Sequence, residues 1–398
     1  MGCIYGLAVT LLLFEGIIIQ CEGTGSTRAT GGADGASSSN QREDTPTIDS
    51  KGGLELLPKD SLEEIVVRMG NDTILNILRG WINHAPDPLS SHILQNSIVR
   101  IEMKEPDAKK SATKTDEGFD IFYEYDNIIL KFHEYQKLIL FSGKFGEHVK
   151  KIQINLMGQR SEPRILNIIK EYVQNVEELR IVSAGGDEQF WEILSSGKNG
   201  IIFPEVKQFK MIGVMNRNEF NLDSIFPKLE YLTLDGDVAD KNCMDNLRNL
   251  KDLKIAHTSI PEDKLDHIFP NNKNMTNLSL WKPKRRATMQ SIADHLKELK
   301  TLEVWAPGEE FLLRTDDDSV CVLPSVEDFY IIFYEMQEKY EIGKLSFYMP
   351  KLQKLTLDGV YVRVSKFSEH FKELKTWKLL NSRYIKGIGY TFLKYSRS

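Results

Sequence analysis

Apolar and polar residues alternate in short bursts along most of this chain, and two of the bursts are almost the same. Phe226-Pro-Lys-Leu-Glu-Tyr-Leu-Thr-Leu-Asp-Gly-Asp-Val238 returns as Met349-Pro-Lys-Leu-Gln-Lys-Leu-Thr-Leu-Asp-Gly-Val-Tyr361. Their common core is Leu-x-x-Leu-x-Leu, carried by Leu229, Leu232, Leu234 and by Leu352, Leu355, Leu357. Apolar residues at alternate positions predict a short strand with one buried face. Weaker copies fall at Val149/Ile152/Ile154, Val176/Leu179/Ile181, Val206/Phe209/Met211, Leu250/Leu253/Ile255 and Met275/Leu278/Leu280. Leu299/Leu302/Val304, Val326/Phe329/Ile331 and Leu374/Trp377/Leu379 complete a series of ten. The middle residue advances by 21 to 30 positions from copy to copy. Between strands, 163–173 predicts a helix with Pro163 in its first turn and apolar residues at 165, 166, 168, 169 and 173. Residues 291–299 read similarly.

Ten copies in register resemble the leucine-rich-repeat family, whose period is about 20–29 residues. The resemblance covers roughly 149–380. It implies an α/β fold: a leucine-rich-repeat solenoid with a parallel concave sheet. No unit can bury its own apolar face, and stacking makes one continuous core. The family often places Asn or Cys shortly after the strand. Here those positions read Asp-Gly-Asp, Trp-Lys-Pro and Trp-Ala-Pro.

Upstream, Leu62, Ile65, Val66 and Met69 lie at i, i+3, i+4 and i+7, one face of a helix. Pro58 precedes it, and Asp60 or Ser61 can cap it, with Glu63 or Glu64 three residues on. Leu57, Pro58, Asp60, Leu62, Ile65 and Met69 resemble the opening of the F-box, and 72–81 looks like its second helix. The resemblance implies a small helical F-box-like domain over 54–100. In it Leu57, Pro58, Leu62, Ile65 and Met69 would enter a Skp-type adaptor of a cullin ubiquitin ligase. The alternative is a helical cap on the end of the repeat array. Residues 101–148 then connect the two parts: 104–120 read as a polar loop and 121–141 as one or two leading strands. Residues 381–398 read as a far cap or tail.

The first residues change the picture of where the protein works. Residues 3–14 are an apolar run of signal-peptide length, and Cys21-Glu-Gly23 offers small residues for cleavage, so 1–23 read as a secretory signal. The run is too short to span a membrane. Double acylation of the Met-Gly-Cys start is the other reading, with Gly6 where myristoylation wants Ser or Thr. Residues 24–53 carry hardly any apolar side chain and predict a disordered linker. Of four cysteines, Cys3 and Cys21 leave with the signal. Cys243 and Cys321 belong to units three repeats apart, and at about 4.8 Å per strand they exceed the ~7 Å reach of a disulfide. A secretion signal, an F-box-like start and no expected disulfide resemble, together, the secreted F-box/leucine-rich-repeat effectors of plant-feeding, gall-forming insects. Such a protein is exported and acts in the cytosol of a recipient cell.

Charge and chemistry narrow the function. The net charge is −6 with 27% charged residues, which argues against a nucleic-acid partner. The acidic run Asp316-Asp-Asp318 reads as a loop. No catalytic constellation appears: Phe132-His-Glu-Tyr-Gln lacks a second His, Gly387-Ile-Gly389 is an isolated pair, and no Cys pair has metal spacing. His133, His148, His257 and His295 read as surface or packing residues. No cofactor is expected. Strand positions flanking the buried leucines face the concave side. There Trp281 and Trp305 fall at one position of consecutive repeats and with Tyr330 centre an expected substrate-binding patch; Tyr231 lies on the same face, and Lys282, Lys284, Arg285 and Arg286 flank the first Trp. Exposed aromatics are the usual energetic centre of an interface. The other placement folds each Trp over the sheet edge onto the following turn, since a Pro follows within two residues. Sequons occur at Asn71, Asn274 and Asn277, and a glycan at Asn277 would obstruct the strand face. The expected function is substrate recognition for a cullin-type ubiquitin ligase. The alternative is a secreted extracellular repeat protein with a helical N-terminal cap.

Overall fold

The computed structural model describes residues 58–81, 87–103, 119–124, 126–156, 164–183, 188–195, 201–215, 221–238, 242–258, 260–312, 320–340, 345–362, 371–380, 383–385 and 390–391. All belong to Lys51–Ser398. The expected signal, the linker, Leu57, Pro163 and Asp316–Asp318 lie outside the described residues.

Three helices come first: α1 (Lys59–Arg68), α2 (Asn71–Trp81) and α3 (Pro88–Asn96). Strands β1 (Ile98–Met103), β2 (Phe119–Glu124) and β3 (Asn127–Phe132) follow, then α4 (Tyr135–Phe145). Strands and return segments then alternate. They are β4 (Lys151–Leu156), α5 (Arg164–Tyr172), β5 (Glu178–Ser183), α6 (Glu188–Ser195), β6 (Gln208–Met215), α7 (Leu222–Ile225) and β7 (Tyr231–Val238). Next are β8 (Asp252–Ala256), α8 (Glu262–Ile268), β9 (Asn277–Trp281), α9 (Arg286–His295), β10 (Thr301–Trp305) and α10 (Glu309–Leu312). The chain closes with β11 (Cys321–Val322), β12 (Asp328–Tyr340), β13 (Phe347–Tyr348), β14 (Lys354–Val362), β15 (Thr376–Leu380), β16 (Arg383–Ile385) and β17 (Tyr390–Thr391).

One 15-stranded sheet holds all but β11 and β13, which form a separate parallel pair. From β4 to β14 the strands follow chain order and pair in parallel, so the fold is α/β with a large, mostly parallel sheet. The middle apolar residue of each sequence copy is the register partner of the next, from Ile152 and Leu179 through Leu302 and Phe329 to Leu355 and Trp377. All of these but Trp377 are buried, and Trp377 packs against the same core. Each buried Leu stabilises the sheet by about 1.5–3 kcal/mol. Return helices close the other side of that core: Ile165, Leu166, Ile168 and Ile169 of α5 are buried.

Several boundaries differ from the sequence reading. β1 was not expected as a strand, yet it lies between β3 and β4 and pairs with both. Its buried Val99 and Ile101 carry the period of two. Residues 121–141 divide into strand and helix, because α4 begins at Tyr135. The 381–398 segment contributes β16 and β17. Helix α1 takes no side-chain cap from Asp60 or Ser61: Pro58 stands at its N-cap, and Ser61 and Leu62 donate their backbone N–H groups to the Pro58 carbonyl. Helix α9 starts at Arg286, not Ser291, and ends at His295. Cys243 and Cys321 are buried thiols not joined in a disulfide, and Cys321 Sγ lies 3.1 Å from Gln290 Oε1.

Candidate functional site

In the strands that follow β6, the positions between the buried leucines face away from the core. Parallel register sets Trp281 directly against Trp305 on β9 and β10. Their ring centroids are 6.3 Å apart, and Tyr330 on β12 stands 6.4 Å from Trp305. The three rings form a half-buried row. The sequence left two placements open; the rings stand side by side. Tyr231, 39% exposed, does not join them. It occupies the register position of Asp252 and Asn277, four residues before the Trp position and two strands away.

Polar groups frame the row. Lys254 on β8 reaches across β9 to Glu303 on β10, Nζ to Oε2 3.6 Å, and its Nζ lies 5.6 Å from the Trp305 ring. Ser279, between them on β9, is buried. Asn277 Nδ2 donates to Asp252 Oδ2 at 3.1 Å, so this sequon's amide is engaged on the open face. Burial pushes the Asp252 carboxyl above the usual carboxylate range, and the Glu303 charge acts in the same sense; Asn277 and Lys254 oppose it.

His257 was read as a surface or packing residue, and the structure places it in the row. Its ring lies 4.0 Å from that of Trp281, and its Nδ1 is 2.9 Å from Asp235 Oδ1. Lys282 Nζ lies 5.6 Å from the Trp281 ring. Lys284 and Arg285 donate their backbone N–H groups to Glu262, both at 2.8 Å, and the Arg285 side chain meets Asp266 at 3.8 Å.

A backbone device sets these side chains in line. Just beyond the Trp position, six strands carry a residue in the left-handed region: Gly213, Gly236, His257, Lys282, Ala306 and Gly359. Cross-strand bonds hold it, with Lys282 N–H donating to Trp305 O and Ala306 N–H to Ile332 O, each at 2.6 Å. At Gly236 a Cβ would come within 1.9 Å of the Gly213 carbonyl oxygen, so only glycine fits. A sequence signal existed in the aligned exits Asp235-Gly236, Ala256-His257, Trp281-Lys282 and Trp305-Ala306.

The residues read as adaptor-binding are arranged differently. Pro58 is exposed, whereas Leu62 is 7% exposed and part of the continuous core. Ile65 and Met69 are partly buried against that core. Helix α1 packs on α3, and α2 on β2. Val67, on the outer face of α1, is 78% exposed.

Comparison with known proteins finds no matching family model and no matching curated protein. Among the described residues, no group of three or more His, Cys, Asp or Glu could hold a metal ion, and no helix is long and apolar enough to cross a membrane. The row offers aromatic faces flanked by both signs of charge, an arrangement suited to gripping the side chains of another protein.

Proposed function

We propose that this chain is a leucine-rich-repeat substrate receptor that performs no bond chemistry of its own. The open sheet face holds a target protein on Trp281, Trp305 and Tyr330. The N-terminal F-box-like helices dock a Skp-type adaptor and so bring the target to a cullin-type ubiquitin ligase. With a secretion signal ahead of it, the protein is an exported effector that recruits the ligase of a recipient cell. The observation that carries this reading is the half-exposed aromatic row on three neighbouring strands of a parallel sheet. Such a row favours association through apolar burial and cation–π contact.

A second reading has its own support. Leu62 is buried in the chain's core, as expected of helices that cap the sheet. On that reading the protein is a secreted repeat module that binds its partner outside cells.

The full-length protein, incubated with purified Skp-type adaptors, tests the choice. Capture that is lost in a Leu57→Ala, Pro58→Ala double variant and kept in Trp281→Ala, Trp305→Ala supports the receptor reading. If no adaptor is retained, the ligase role falls and the capped secreted module stands.

A further inference from the structure

The open face is electrically divided along the sheet. On β1, β4, β5 and β6 its outward positions hold four cations, Arg100, Lys151, Arg180 and Lys210, against the carboxylates Glu102 and Glu178. From β7 to β14 the same positions hold five carboxylates, Asp235, Asp252, Glu303, Asp328 and Asp358. Two lysines, Lys254 and Lys354, stand among them. Internal pairs remove part of each excess: Arg100 with Glu102 at 2.7 Å, Lys254 with Glu303 at 3.6 Å and Lys354 with Asp328 at 3.0 Å. Arg180 also pairs with Glu178. The strands β1, β4, β5 and β6 keep a positive balance and β7 to β14 a negative one, and the aromatic row lies inside the negative part.

We propose that the partner on this face is a two-poled protein segment laid across the strands. It is acidic over β1, β4, β5 and β6 and basic, with arginine, over β8–β12. This rests on the reading that the open face binds protein, and it names the chemistry of that partner. Opposite potentials in one surface select for orientation and against single-signed partners. A polyanion such as nucleic acid would be repelled by the aromatic half. A guanidinium suits that half because it stacks on Trp and Tyr faces while donating to carboxylates. Asp252 shows the need: it is half-buried with the neutral Asn277 amide as its hydrogen-bond donor, and a cation arriving from solvent would relieve its desolvation. From β6 to β12 is five strand spacings, about 24 Å. Roughly seven extended residues cover it.

The probe is a labelled synthetic peptide with a triple-Glu cluster, a neutral spacer of about seven residues and an Arg-Trp-Arg cluster, made in both chain directions. Two controls have both clusters acidic or both basic. Fluorescence anisotropy with the full-length protein at low salt should show the two-poled peptide binding about tenfold tighter than either control. Arg180→Glu with Lys210→Glu should weaken the two-poled peptide about tenfold and leave the all-basic one no weaker. Asp252→Asn with Asp328→Asn should weaken the two-poled and all-basic peptides but not the all-acidic one. Circular dichroism checks that each variant folds. Equal binding of all three peptides, or none by the two-poled one, overturns the proposal. If all three bind alike but Trp305→Ala abolishes binding, the face still binds protein and only the polarity falls. Binding that no substitution on the face alters sinks both readings.

Discussion

Asp252 shows how one carboxylate on the open face can cost stability. Its carboxyl is raised by burial, so the folded protein disfavours the charged form. Below the ordinary carboxylate pKa of about 4 the group is neutral in both states and the penalty is absent. As pH rises through the raised folded value, the penalty appears and stays. Asp252→Asn keeps an acceptor for Asn277 and should raise the melting temperature at neutral pH, with the gain vanishing in acid. A pH series of thermal melts checks both halves. Asn272 is the opposite case, a polar residue spent on structure. It is 1% exposed, and its Oδ1 accepts from Leu250 N–H at 2.7 Å. Its Nδ2 donates to Leu247 O at 3.0 Å and Ile268 O at 2.8 Å. Asn272→Ala strands those backbone groups and should cost about 2–3 kcal/mol in denaturant titration.

At the scale of elements, neighbouring units are latched by side chains that the strand pattern does not reveal. Glu262, the first residue of α8, accepts from Lys284 N–H and Arg285 N–H at 2.8 Å and from Thr288 Oγ1 at 2.9 Å. It thereby caps α9, a helix whose own N-cap residue, Arg285, makes no side-chain cap bond. A carboxylate there satisfies free N–H groups and meets the helix dipole. Glu262→Ala should cost about 1–2 kcal/mol, and a double-mutant cycle with Thr288→Val should show coupling. The same contact explains why the start of α9 was misplaced in the sequence: its cap lies more than twenty residues upstream. Strands were legible because Leu232, Leu253 and Leu278 repeat one local pattern. β1 was not, because it follows directly on a helix and pairs with β3 and β4 ahead of chain order. Trp281 and Trp305 were found from their register. His257 was missed because the strand-exit position carries no apolar mark, only a backbone conformation shared down the sheet.

At the scale of the molecule, a net charge of −6 conceals a face with two poles. Composition carries only the sum of the charges, and only the register reveals that they are sorted along the sheet. Weakening of partner binding should therefore track ionic strength, and replacing 50 mM by 500 mM salt should weaken the two-poled peptide several-fold, as the Debye length shrinks from about 14 to 4 Å. The parallel ladder carries a mechanical corollary. Within the main sheet, each strand from β4 to β14 pairs with the next main-sheet strand in chain order, so tension applied to the chain ends would peel the sheet one unit at a time. Each rupture would free about 25 residues, roughly 85 Å of slack. An optical trap would then record a staircase of near-equal steps, the repeat length written as distance.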